Sequence, residues 1–269
     1  MREMNSRLDA APKKSLGQHW LHDSSALNDM CDAAEVGKND VVLEVGPGKG
    51  TLTAKLTARA KQVIAVEFDS YLAINLPTRV RDDNLQIIEA DILKFDFTTL
   101  PKGYKVVANI PYYLTSHLIR QLCESSNPPS LMALLVQKEV AQRVCSGPGQ
   151  MSLLSVSTQF YCEVGLGPIV QAELFTPPPK VDSQILMLGY RGKPLFDVDT
   201  KQFFRLVKAG FMERRKMLRS SLSGGLGISK EESDKLLASA GIAGDLRAQA
   251  LSLADWHKLY TAYESLAPA

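Results

Sequence analysis

Five short apolar bursts, four of them closed by a polar group, constrain this chain more than any other feature. Val41–Val45, Val63–Val66, Leu85–Ala90, Tyr104–Ala108 and Leu131–Gln137 have the length and β-branched content of buried strands. Helical stretches separate them, and this alternation continues to about Gly192. Such a pattern specifies an α/β fold, a mostly parallel sheet wrapped by helices. Phe160–Val164 and Ile185–Tyr190 read as two further strands paired through a proline-rich loop, making seven in all. Gly192-Lys193-Pro194 marks a boundary. Beyond it strand periodicity disappears, and residues 193–269 read as helices broken near Gly224-Gly225. The expected organisation is therefore an α/β domain over 1–192 and a smaller helical domain over 193–269.

The first burst runs into Val45-Gly46-Pro47-Gly48-Lys49-Gly50-Thr51, a turn short of bulky side chains that opens a helix. Glycines there let the backbone approach a ligand at a helix N-terminus. A dinucleotide fingerprint needs glycine at the first, third and sixth positions, but the sixth after Gly46 is Thr51. A phosphate-binding loop fails as well, because no Gly-Lys-Ser/Thr follows. Glu44 stands two residues before Gly46 and suits a ligand carrying an ammonium better than one carrying pyrophosphate. Glu67 closes the second burst about twenty residues on, where a carboxylate meets a ribose in nucleotide-binding α/β units. Asp91 follows the third burst and is placed to accept from an adenine amino group. Taken singly, each carboxylate also fits a solvated strand end or a helix cap. Their succession along one sheet edge points to a site.

The fourth burst ends in Asn109-Ile110-Pro111-Tyr112. Pro111 stops the strand and stiffens the turn, since its ring fixes φ and removes an N–H. The turn then offers an amide oxygen (Asn109), a backbone carbonyl (Ile110) and an aromatic face (Tyr112). Two acceptors and a ring are what the exocyclic amine of a flat base requires.

Composition excludes several classes. Net charge is only +2, so the whole chain is no polycation, yet Lys201 to Arg219 carries seven basic residues against the single acid Glu213. Lys208, Arg214, Arg215, Lys216 and Arg219 are the candidates for contact with a phosphate backbone. Arg2, Arg7, Lys13 and Lys14 suggest a basic arm at the start. Cysteines at 31, 123, 145 and 162 form no CxxC and no disulfide framework, and His19 and His22 find no partners to complete a metal set. No apolar run reaches membrane-spanning length and no secretory signal follows Met1. The expectation is a cytoplasmic protein without metal, and a monomer.

Together these segments resemble the S-adenosylmethionine-dependent methyltransferases, and more narrowly the ribosomal RNA adenine dimethyltransferase family. Lys13-Lys14-Ser15-Leu16-Gly17-Gln18-His19-Trp20-Leu21 is similar to the family's opening motif, although the usual form is Gln-Asn-Phe-Leu and His19 and Trp20 depart from it. Phe175-Thr176-Pro177-Pro178-Pro179-Lys180-Val181-Asp182-Ser183 resembles the signature Phe-x-Pro-x-Pro-Lys-Val-Asp-Ser, and Phe211–Arg219 the basic helix of the C-terminal domain. Tyr and Arg are usual shortly after Gly149, where this chain has Gln150-Met151-Ser152-Leu153.

The resemblance implies a Rossmann-like seven-stranded sheet with a smaller all-helical C-terminal domain. It implies a cofactor, S-adenosyl-L-methionine, held by Gln18, His19, Leu21, Glu44, Gly46, Gly48, Glu67, Asp91 and Asn109. It also implies methyl transfer to N6 of adjacent adenosines of 16S rRNA, within the small ribosomal subunit or its precursor. Asn109, Ile110, Pro111 and Tyr112 would act on the base, with Tyr112 and Phe175 stacking on its two faces. A large-subunit rRNA methyltransferase of the macrolide-resistance type shares most of these motifs, and an RNA-binding assembly or transcription factor could use the same fold.

Overall fold

The inner apolar bursts become strands because, buried on both faces of a parallel sheet, they need no alternation, while Leu85–Glu89 is a partly exposed edge strand. In a computed structural model, which describes residues 12–13 and 16–266, they are β2 (Val41–Val45), β3 (Gln62–Glu67), β4 (Leu85–Glu89), β5 (Lys105–Asn109) and β6 (Leu131–Gln137). β7 (Cys162–Val170) and β9 (Ser183–Tyr190) complete a seven-stranded sheet in the order β4-β3-β2-β5-β6-β9-β7. The pairs from β4 through β6 are parallel, and β9 runs antiparallel to both β6 and β7. From β2 the chain steps outward to β3 and β4, then returns to place β5 on the other side of β2. The direction of winding reverses there, and open α/β sheets bind ligands at such a crevice, beyond the strands' C-terminal ends. Gly46, Glu67, Asp91 and Asn109 all follow or close strands at that edge.

Two very short strands form a separate ribbon. β1 (Trp20–Leu21) pairs antiparallel with β8 (Phe175–Thr176), with Leu21 opposite Phe175. Residues far apart in sequence thus meet beside the sheet. Leu21 and Phe175 point into the same core as Leu27, Val107, Leu135 and Ile185. The helices of this part are α1 (Ser24–Ala33), α2 (Thr51–Thr57), α3 (Ser70–Arg79) and α4 (Thr115–Glu124), followed by α5 (Lys138–Val144).

The chain divides into two compact units, residues 1–141 with 162–192, and residues 142–161 with 193–269. A single boundary after Gly192 does not anticipate the transfer of 142–161 to the second unit. Phe160 and Tyr161, expected at the start of a strand, instead end α6 (Leu153–Tyr161), and β7 begins at Cys162. The physical reason is aromatic packing: Phe160 stacks on Phe203 at 5.0 Å between centroids and meets Phe204 and Tyr161 edge-on. The stretch after Gly149 is tied down in this unit by Gly149 and Met151 N–H bonds to the Gln249 carbonyl. The remaining helices are α7 (Thr200–Phe211), α8 (Leu218–Leu226), α9 (Lys230–Ser239) and α10 (Leu253–Leu266). Among the described residues no helix is long and apolar enough to cross a membrane, and no group of His, Cys, Asp and Glu is arranged to hold a metal. Arg2, Arg7 and Lys14 of the basic arm lie outside the described residues, while Lys13 pairs with Asp69 at 2.8 Å.

Candidate active site

A cavity of about 250 Å³ opens at the reversal of the sheet. Gln18, His19, Gly46, Gly48, Glu67, Asp91, Asn109, Ile110, Pro111 and Tyr112, all among the candidates read from the sequence, line it. Gly46 and Gly48 adopt left-handed backbone (φ 67° and 57°), which glycine reaches without strain. A Cβ on Gly46 would meet no atom within 4 Å, so its side of the loop faces open space.

Glu67 anchors the loop. One carboxylate oxygen accepts from the Gly48 N–H at 3.0 Å and the other from the Asp69 N–H at 2.9 Å. Burial pushes its pKa up, and these two backbone donors oppose that push. The carboxylate also lines the cavity. Asp91 serves as a cap, accepting from Leu93 N–H at 3.0 Å, while also lining the cavity.

Glu44 does not reach the cavity. It is 1% exposed within β2, and its Oε2 has no hydrogen-bond partner. Burial raises its pKa to about 8; the Thr53 hydroxyl stands beside it and works the other way without reaching hydrogen-bond geometry. A protonated carboxyl cannot serve as the anionic partner of an ammonium, so that expected role is corrected. A stability consequence follows. The folded chain keeps this proton to about pH 8, whereas the unfolded chain releases it near the ordinary value of 4.5. The contribution is full below about 4.5 and is lost as pH rises toward 8. Glu44→Gln should therefore lose less melting temperature than the parent between pH 5 and pH 8. Identical pH dependence in thermal melts of the two would contradict a neutral Glu44.

The Asn109 turn is held from both sides. The Asn109 side-chain amide donates to the His19 carbonyl at 3.0 Å, which leaves Oδ1 as the free acceptor. Within the turn, Leu114 N–H bonds the Pro111 carbonyl at 2.9 Å, so the Ile110 carbonyl stands outside the turn's own bonds. Tyr112 is half-buried, its hydroxyl 3.0 Å from Ser183 Oγ. The His19 ring lies nearly parallel to Tyr112, 6.0 Å between centroids. Its Nδ1 is 2.7 Å from the Pro177 carbonyl, and since that partner only accepts, Nδ1 carries the hydrogen. His19 thus ties the opening segment, the Asn109 turn and the proline-rich loop together.

Two expected residues are not there. Phe175 is 3% exposed and packs in the core opposite Leu21; neither lines the cavity. Alternation along β8 explains it, since an inward Phe175 leaves Thr176 outward. The ring beside Tyr112 is that of His19. In the second unit Arg214, Arg215 and Lys216 are exposed in the turn after α7, and neither they nor Lys208 on α7 make an ion pair among the described residues. Arg219 is different: it lies 3.6 Å from Asp234.

A profile of the family described as "Ribosomal RNA adenine dimethylase" matches residues 10–265. The chain belongs to the ribosomal RNA adenine dimethylase family. It is 41% identical over 267 residues to "Ribosomal RNA small subunit methyltransferase A" of Dehalococcoides mccartyi, covering 97% of this chain and 92% of the relative. To the protein of that name from Streptococcus thermophilus it is 40% identical over 261 residues, covering 92% and 90%. Among solved structures, a dimethyladenosine transferase from Plasmodium falciparum superposes with a TM-score of 0.79 at 27% identity, covering 92% of this chain and 98% of that one. The 23S rRNA methyltransferase ErmE superposes with a TM-score of 0.73, also at 27% identity, covering 91% and 99%.

Within this adenine dimethylase the cavity also engages residues that sequence reasoning did not assign to it. Trp20, a departure from the family's usual phenylalanine, lies so close to Gly48 that a Cβ there would come within 3.1 Å of its ring, and Lys49 Nζ stands 4.2 Å from the ring centroid. Phe68 (61% exposed) and Tyr113 (58% exposed) also line the cavity. Their signal in the sequence was adjacency, each being next to a residue already placed at the sheet edge.

Proposed function

We propose that this adenine dimethylase transfers methyl groups from S-adenosylmethionine to N6 of adjacent adenosines in small-subunit ribosomal RNA. One observation carries the proposal: the Asn109 amide is pinned by the His19 carbonyl, so that a side-chain oxygen and the Ile110 carbonyl are free at a cavity lined by Glu67 and Asp91 and, among the described residues, by no Lys or Arg. A pyrophosphate would meet the two carboxylates Glu67 and Asp91 there. A cationic cofactor with an adenosine part fits. Gly46 and Gly48 would admit it closely, Glu67 would accept from its ribose and Asp91 from its adenine amine, with Gln18 and His19 at the rim.

S-adenosylmethionine supplies a methyl group already activated by its sulfonium, so the residues here need not act as strong acids or bases. The N6 lone pair of adenine is delocalised into the ring and is a poor nucleophile. Asn109 Oδ1 and the Ile110 carbonyl accept from N6–H, which favours the localised, tetrahedral nitrogen and strengthens as charge grows. Tyr112 gives the extruded base a face to stack on. Support for the small subunit comes from the two relatives of that name at 41% and 40% identity, against 27% for the large-subunit enzyme. Cytoplasm, where precursor subunits are assembled, is the corresponding place of action.

Calorimetric titration tests the cofactor directly. S-adenosylmethionine should bind the parent, and Glu67→Ala should weaken binding by about 1.5–3 kcal/mol, the scale of a hydrogen bond to a charged group. NAD should not compete. Unchanged affinity in the variant would remove Glu67 from the cofactor site.

A further inference from the structure

The second unit contains a groove of about 660 Å³ lined by Lys201, Gln202, Arg205, Lys208, Ala209, Met212 and Gly225. We propose that this groove, between α7 and α8, seats a stretch of RNA sugar–phosphate backbone and is separate from the exposed Arg214–Lys216 turn. The proposal rests on the chain acting on RNA and says where a further part of that RNA lies.

The groove follows from the pattern of α7. Phe203, Phe204, Leu206, Val207 and Gly210 are buried, which turns Lys201, Arg205 and Lys208 onto one exposed stripe at i, i+4 and i+7. The floor comes from close helix packing. A Cβ on Gly225 of α8 would fall 2.6 Å from both Cα and Cβ of Ala209, so the two helices meet there almost backbone to backbone. Small residues at the bottom and long cations at the rim make a channel instead of a flat face.

Charge in the channel is unbalanced. No carboxylate lines it, and among the described residues none of the three cations makes an ion pair. Exposed cations elsewhere do find acids, as Arg120 does with Glu124 and Arg191 with Glu163. The stripe from Lys201 to Lys208 spans about 10 Å at the helical rise of ~1.5 Å per residue. That length lets the three cations face neighbouring phosphates of one RNA strand. A protein partner would need a central apolar anchor pocket, and the one large apolar side chain among the described lining residues is Met212, exposed at one end.

The test uses the full chain carrying Lys201→Gln, Arg205→Gln and Lys208→Gln together, all at exposed positions. Binding to a naked small-subunit rRNA fragment is measured across a potassium chloride series, beside the triple neutralisation of Arg214, Arg215 and Lys216. The groove variant should flatten the plot of log affinity against log salt by about two to three units, at ~0.7–0.9 per lost contact. A charge-keeping variant, Lys201→Arg with Lys208→Arg, should retain the parent slope. If the groove variant leaves the slope unchanged while the Arg214–Lys216 variant flattens it, the groove is a solvated face and the proposal fails alone. If neither changes the slope, RNA binding by this unit fails as well. Loss confined to subunits carrying their proteins, with none on naked RNA, would assign the groove to an acidic protein and overturn the proposal.

Discussion

Replacing Asn109 with alanine should slow methyl transfer by about a hundredfold or more while affinity for S-adenosylmethionine changes little. The side chain sits where β5 ends and Pro111 stiffens the turn, and its amide is fixed by the His19 carbonyl at 3.0 Å. That bond chooses which end of the amide faces the cavity. The free oxygen then contacts N6–H chiefly as the nitrogen localises its lone pair, and removal of one such transition-state contact costs on the order of 10²–10³ in rate. On the proposed reading the cofactor is held mainly by residues other than Asn109, among them Gly46, Gly48, Glu67 and Asp91, so its binding should survive. Single-turnover rates beside calorimetry separate the two. Parallel losses in rate and cofactor affinity would make Asn109 a binding residue only. Asn109→Asp is a sharper companion: it keeps an oxygen but loses the donor to His19, and a rate as low as that of alanine would show that the orienting bond matters.

The second large effect concerns substrate choice. Neutralising Arg214, Arg215 and Lys216 should lower affinity for small subunits, with the salt dependence flattening by about one unit of slope per lost phosphate contact. These three are exposed in the turn after α7 and make no ion pair among the described residues, whereas Arg219 is partly engaged by Asp234 and is left out of the variant. Cofactor binding belongs to the other unit and should be unchanged. Methylation of rRNA in a subunit should fall more than methylation of a short adenine-containing oligonucleotide, since the short substrate needs only the Asn109–Tyr112 turn. Equal falls on both substrates would mean that these cations do not select the subunit.

Why some of this was legible in the sequence, and some not, has a physical basis. Parallel strands buried on both faces must be continuous apolar runs, so β2, β3, β5 and β6 announce themselves more plainly than the edge strand β4, and the polar residues at strand ends mark the edge where ligands bind. Asn109 and Glu67 could be placed for that reason. Glu44 could not, because its position before the glycines does not reveal whether it points toward the cavity or into the core. Phe175 was assigned by motif, but a two-residue strand carries too little alternation to say which neighbour points inward; only its pairing with Leu21 decides. The fate of Phe160 and Tyr161 was hidden likewise. Their aromatic character suits a strand, and their partners Phe203 and Phe204 lie about forty residues away. The charge excess over Lys201–Arg219 was plain, but its division into a helix stripe and a turn required the helix to be seen.

The central claim is that this site methylates adenosines of small-subunit RNA, and product analysis tests it most directly. Isolated small and large subunits are incubated separately with the full chain and methyl-labelled S-adenosylmethionine, and the rRNA is digested and examined by mass spectrometry. The expected result is N6,N6-dimethyladenosine at adjacent positions of small-subunit rRNA and no label in large-subunit rRNA, with Asn109→Ala giving almost none in the same time. Label in large-subunit rRNA, or none in either RNA despite cofactor binding, would contradict the account.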